Sequence, residues 1–176
     1  MQAHSIPASH FGKDIREFLA CLNRHAVECL LVGGEAVIFY GYPRVTGDID
    51  IFYRLTPDNA RRLYDALCDF WGGRVPGIRA SSGLRKEGVI VQFGVAPNRI
   101  DLVNRIDGIE FDEALDTAVT ITLQGADPPL ALRMIGLEAL IRNKKAAGRP
   151  KDLDDVRFLE AALVRHRARR TRRTKK

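Results

Sequence analysis

Apolar positions recur at two periods along the chain, and the period changes mark its elements. Over 11–24, FGKDIREFLACLNR, the residues Phe11, Ile15, Phe18, Leu19 and Leu22 fall at helical spacing. ECLLV (28–32) reads as a short buried strand, and EAVIFYG (35–41) as a short helix closed by Gly41 and Pro43. Residues 47–53 alternate as a strand. TPDNARRLYDALCDF (56–70) combines a Thr cap, Pro at the first helical position and apolar residues at Leu63, Leu67 and Phe70. Four glycines and a proline over 71–84 predict turns. Strands follow at 88–94 and 98–104, a short helix at 111–118 and an alternating strand at 119–124. From there the pattern reads as helical throughout, over 130–147 and again from Pro150 to 166. The order predicts an α/β (α+β) fold: a mixed β-sheet core flanked by helices, with a C-terminal helical appendage. The expected divisions are a core over 1–126, a helical region over 127–166 and a basic, disordered tail over 167–176.

Composition narrows this little. An apolar fraction of 45% and a charged fraction of 28% over 176 residues suit one ordinary globular domain. No apolar run approaches the length that spans a bilayer, and the N-terminus lacks a basic region followed by an apolar core. Three cysteines without metal-ligand spacing are expected as buried thiols in a reducing, cytoplasmic setting. The net charge of +6 is uneven: RHRARRTRRTKK (165–176) carries eight Lys and Arg, so the remaining 20 bases stand against 22 acids. Such a block suits RNA phosphates or an acidic partner, or simply solvent.

Chemistry enters at RVTGDIDIFY (44–53). Side chains two apart on a strand share a face, so Asp48 and Asp50 project together while Ile49 and Ile51 enter the core. Two like charges there call for a cation, and hard oxygen ligands favour Mg²⁺ or Mn²⁺. A half-exposed edge strand would give the same string. Gly33 and Gly34, between a strand and a helix, permit close backbone approach and offer a helix N-terminus to an anion, although Gly–Gly is also an ordinary turn. Asp101, in RIDLV, puts a third carboxylate in a strand, either with the same cation or as general base. A salt bridge to Arg99 or Arg105 is its alternative.

Together these residues resemble the nucleotidyltransferase superfamily that includes DNA polymerase beta. An apolar strand, G-G, thirteen intervening residues, D-x-D and a later strand Asp are its pattern. LVGGEAVIFYGYPRVTGDIDIF, with LIRNKKAAGRPKDLDDVRFLE (140–160), is similar to minimal nucleotidyltransferases related to abortive-infection (AbiEii-like) toxins. The resemblance implies that Asp48, Asp50 and Asp101 bind divalent metal and are catalytic. It implies that Gly33, Gly34, Arg44, Thr46, Lys145 and Arg149 bind a nucleoside triphosphate such as ATP. Lys144, Lys151, Asp152 and Asp155 would assist, although a Gly cap, Pro start and first-turn Asp also make an ordinary helix–helix junction. Many relatives have Ser at the position of Gly34, and Glu35 sets a negative charge near the triphosphate. The implied reaction is transfer of a nucleoside monophosphate to a hydroxyl, with loss of pyrophosphate. The acceptor would be an RNA 3′ end, a protein or a small molecule such as an aminoglycoside. A toxin with an antitoxin partner, or a non-catalytic nucleotide- or partner-binding module of such a pair, is also open.

Overall fold

The computed structural model describes residues 4–174. In chain order these form β1 (His4–Pro7), a 3-10 turn at 8–10, α1 (Lys13–Arg24), β2 (Cys29–Val32), α2 (Gly33–Phe39), β3 (Asp48–Tyr53) and α3 (Pro57–Phe70). A second 3-10 turn at 81–84 leads to β4 (Ile90–Phe93), β5 (Arg99–Val103), α4 (Phe111–Asp116), β6 (Val119–Gln124), β7 (Leu130–Met134), α5 (Leu137–Ala147) and α6 (Pro150–Thr174). The strands make one seven-stranded mixed sheet in the order β1-β6-β7-β2-β3-β5-β4. β3 lies antiparallel to β2 and parallel to β5, close to the middle of it.

Alternation along β3 decides what covers each face. Ile49, Ile51 and Tyr53 are buried on one side, where the Tyr53 hydroxyl donates to the Leu84 carbonyl at 2.9 Å. α1 and α3 pack on that side, joined by an edge-on contact of Phe18 with Phe70 at 5.5 Å. On the other face Phe52 meets Phe111 of α4 edge-on at 5.1 Å. Asp48 and Asp50 share the Phe52 face. α3 starts at its Thr cap, whose Oγ1 accepts the Asn59 N–H at 3.2 Å. No helix among the described residues is long and apolar enough to cross a membrane. The cysteines are free thiols; Cys21 is buried as expected, Cys29 and Cys68 are only half-buried, and desolvation pushes the Cys29 thiol up to about 12.

Three sequence expectations change. Residues 130–134 form a strand, not the start of a helix. Leu130, Leu132 and Met134 are buried while Ala131 and Arg133 are exposed, a period of two that the apolar spacing of the following helix disguises. Because β7 lies between β6 and β2, the core runs past the expected boundary at 126, and the helical region begins with α5. Residues 4–7, too short to register as periodic, form a strand parallel to β6 at the sheet edge. Finally, α6 runs to Thr174, so the basic segment expected to be disordered from 167 is helical up to there, and Lys175 and Lys176 lie outside the described residues. Arg and Lys are good helix formers, and a helix already nucleated on the core extends at little cost.

Fully buried Asn59 gives a direct test of how α3 is tied to the sheet. Its side chain accepts from Glu28 N–H at 2.8 Å and donates to the carbonyls of Glu28 and Arg54 at 3.0 and 2.9 Å. Asn59→Ala leaves the Glu28 N–H without its partner and takes one of two donors from each carbonyl, which keep the Arg54 and Thr56 N–H groups. It should lower stability by about 2 kcal/mol in urea unfolding, and a loss under about 0.5 kcal/mol would contradict that role.

Candidate active site

Parallel pairing of β3 with β5 puts Asp48 opposite Arg99 and Asp50 opposite Asp101, with all four on one sheet face. They floor a cleft of about 290 Å³ whose wall is the α2 start and whose roof is the α5–α6 junction. Asp101 is buried. Its carboxylate accepts from Arg99 Nε at 3.0 Å, Arg99 Nη2 at 3.1 Å and, from β4, Gln92 Nε2 at 3.1 Å. Arg99 Nη2 also donates to Asp48 Oδ2. Burial pushes the Asp50 carboxyl above its ordinary value, and the charges of Asp48 and Asp101 push the same way. The Gly34 N–H and the Lys144 charge oppose them.

The two glycines serve this carboxylate. β2 pairs with β3 so that Val32 faces Asp50, and the chain must turn into α2 directly against the Asp50 side chain. Gly33 does so at φ +63°, and a Cβ there would fall inside the Asp50 carboxylate. The Gly34 backbone also lies against this carboxylate and opposes the rise of its pKa. A Cβ at Gly34 would lie 2.5 Å from Thr46 Oγ1, which explains why serine does not stand there. The hydroxyl is supplied from the facing loop by Thr46, which donates to Asp48 Oδ1 at 2.8 Å. Glu35 turns towards His10, with Oε2 to Nε2 at 2.7 Å, and so directs its charge away from the cleft.

Overhead, Lys144 is almost wholly buried. Its Nζ reaches Asp152 Oδ1 at 2.8 Å and Asp155 Oδ2 at 3.2 Å. Arg149 Nε donates to Asp152 Oδ2 at 2.5 Å, and Arg44 pairs with Asp155 at 3.2 Å. Burial alone would raise the Asp152 carboxyl, but hydrogen bonds from Arg149 and Lys144 outweigh it and hold it below its ordinary value. Asp152 and Asp155, three apart on α6, thus hold three bases in place. Neighbouring helical residues diverge by about 100°, so only one of the paired lysines can face inward. It is Lys144, whereas Lys145 is exposed and pairs with Glu160 at 2.6 Å, away from the cleft. Lys151 is exposed at the cleft mouth. Arg105, Asp107 and Asn143 also line the cleft, and single Arg, Asp and Asn residues next to strand or helix ends give no sequence signal of it.

Three carboxylates of hard oxygen donors on adjacent strands suit a divalent cation in donor chemistry, and their mutual repulsion is what such an ion relieves. They are not drawn together around one point: among the described residues no three acidic, His or Cys side chains are grouped to hold an ion. The Arg99 guanidinium stands between Asp48 and Asp101 instead.

The family model described as "Nucleotidyl transferase of unknown function (DUF2204)" matches residues 12–175. The chain belongs to this nucleotidyltransferase family. Its fold is similar to a crystal structure of ANT(2″)-Ia in complex with adenylyl-2″-tobramycin, with a TM-score of 0.50 and 19% identity over 90% of this chain and 95% of that one. No curated protein sequence matches. In this nucleotidyltransferase the contact between Gly33 and Asp50 is open to a double-mutant test. Gly33→Ala should cost about 2 kcal/mol in chemical denaturation, from the left-handed backbone and the Asp50 clash together. Adding Asp50→Gly should recover part of that loss. Strict additivity of the two changes would contradict the contact.

Proposed function

We propose that the chain transfers a nucleoside monophosphate from a nucleoside triphosphate to a hydroxyl acceptor, with Mg²⁺ or Mn²⁺ as cofactor. The observation that carries this reading is the opposition, across one cleft, of Asp48, Asp50 and Asp101 by the bases Arg44, Lys144 and Arg149. A triphosphate with its metal presents the complementary pair, phosphate oxygens to the roof and cation to the floor. A divalent ion held by Asp48, Asp50 and Asp101 would neutralise phosphate charge and lower the pKa of the attacking hydroxyl. Arg44 and Lys144, fixed by Asp155 and Asp152, meet the phosphates without reorganising, the condition under which electrostatic stabilisation of a transition state is largest. The acceptor oxygen bonds to the α-phosphorus as the bond from that phosphorus to pyrophosphate breaks, and the hydroxyl proton passes to Asp101. Thr46 orients Asp48 through its hydroxyl, and Lys151 at the mouth attracts the incoming anion. Lys145 has no part in this account.

An RNA 3′ end is the acceptor we favour, and the basic end of α6 supports it by its charge. A protein hydroxyl, as for a toxin held by an antitoxin, is the next reading. A small-molecule acceptor is suggested by the adenylylated aminoglycoside in the structural neighbour. Incubation with α-³²P-labelled nucleoside triphosphates, Mg²⁺ and total RNA, lysate or aminoglycosides separates these by where the label appears. Asp48→Asn and Asp50→Asn should each lower transfer by roughly 10³-fold or more, and in Asp50→Asn the unfolding midpoint should hold or rise, since that change removes a charge that burial and its two neighbours disfavour. Full activity in either variant would overturn the proposal.

A further inference from the structure

The carboxylates of the cleft floor already have a cation. Arg99 sits two residues before Asp101 on the same strand face and is the cross-strand partner of Asp48. Its guanidinium takes both oxygens of Asp101, at 3.0 and 3.1 Å, and with the same Nη2 reaches Oδ2 of Asp48. These are oxygens a metal ion would need. A carboxylate oxygen engaged by a guanidinium N–H is a poorer ligand, and the guanidinium charge repels a second cation at the same place. The contact is not accidental crowding of a surface side chain. Parallel register places the arginine against Asp48 and the pleat places it beside Asp101, so its stem has no need to bend far to span both. Nor is the side chain locked, being 36% exposed on a long flexible stem that can swing into the cleft.

We propose that Arg99 is the resident counter-ion of the metal-binding carboxylates: it stabilises them in the free protein, and a divalent ion enters only by displacing its guanidinium from Asp48 and Asp101. This makes Arg99 a positioning residue, and it rests on the metal-dependent reading above. Without it the carboxylates repel one another until metal arrives. With it, metal pays the cost of breaking a bidentate ion pair, so the free protein binds metal weakly.

Direct Mn²⁺ binding to the full chain, followed by electron paramagnetic resonance in the absence of nucleotide, tests this without any turnover. Arg99→Gln should bind Mn²⁺ about tenfold more tightly than the unsubstituted protein, a coupling typical of two ligands that exclude each other. It should also melt lower in chelator and gain more from Mn²⁺. Arg99→Lys keeps the charge but loses the fork, and its affinity should fall between the two. Mn²⁺ affinity in Arg99→Gln equal to or weaker than that of the unsubstituted protein overturns the inference. If that variant does not fold, the same result in Arg99→Lys does so. Asp50→Asn in the Arg99→Gln background separates the two claims. Loss of the Mn²⁺ signal there places the ion at these carboxylates, and an unchanged signal overturns the metal-dependent reading and this inference with it.

Discussion

Parallel, in-register pairing of β3 with β5 crowds Asp48, Asp50 and Asp101 onto one sheet face, and the rest of the site is arranged around that repulsion. Three like charges in a half-buried cleft are tolerable only when each finds donors or a counter-charge. The Gly34 backbone eases the charge on Asp50, Asp48 has the Thr46 hydroxyl, and Asp101 has Gln92 and Arg99. Each of these donors comes from a different element, so the crowding ties α2, the loop before β3, β4 and β5 to one point. The apolar residues between the aspartates, Ile49 and Ile51, anchor the strand from the other face. A site that holds reacting groups rigidly needs such support from beneath.

The roof obeys the same rule with the sign reversed. Lys144 would be costly to bury alone, and it is buried because Asp152 and Asp155 face it from α6. Asp155 also holds Arg44, which joins the roof to the loop that carries Thr46. Tyr42 stacks on Phe158 at 4.6 Å, an apolar contact beside the ionic one that fixes the same loop to the same helix. α6 is therefore part of the site and not an appendage to it. Its first two turns position charge, and its middle packs on the core through Val156 and Leu159.

What the sequence made legible follows from how local each signal is. D-I-D-I-F carries its own period, so the strand, its buried face and the shared projection of Asp48 and Asp50 could all be read from it. Gly33 and Gly34 could be seen as a close approach, but not that the group approached is Asp50, because that depends on the pairing of β2 with β3. Lys144 and Lys145 are indistinguishable in sequence, and the choice between them is made by the helical phase of α5 against α6. Arg99 is visible only as a neighbour of Asp101, since its contact with Asp48 requires the parallel register. LALRM failed as a strand because its apolar residues also fit the helical period that follows, and its place in the sheet is settled by pairing with β6 and β2.

The most direct test of a metal-assisted nucleotidyl transfer at this cleft is a crystal structure with Mn²⁺ and α,β-methylene-ATP, read by the anomalous signal of manganese. The account predicts anomalous density bonded to Asp48 and Asp50, with the triphosphate between it and Arg44 and Lys144 and with the Arg99 guanidinium withdrawn from Asp48. Nucleotide bound elsewhere, or manganese absent from those carboxylates while nucleotide occupies the cleft, would contradict it.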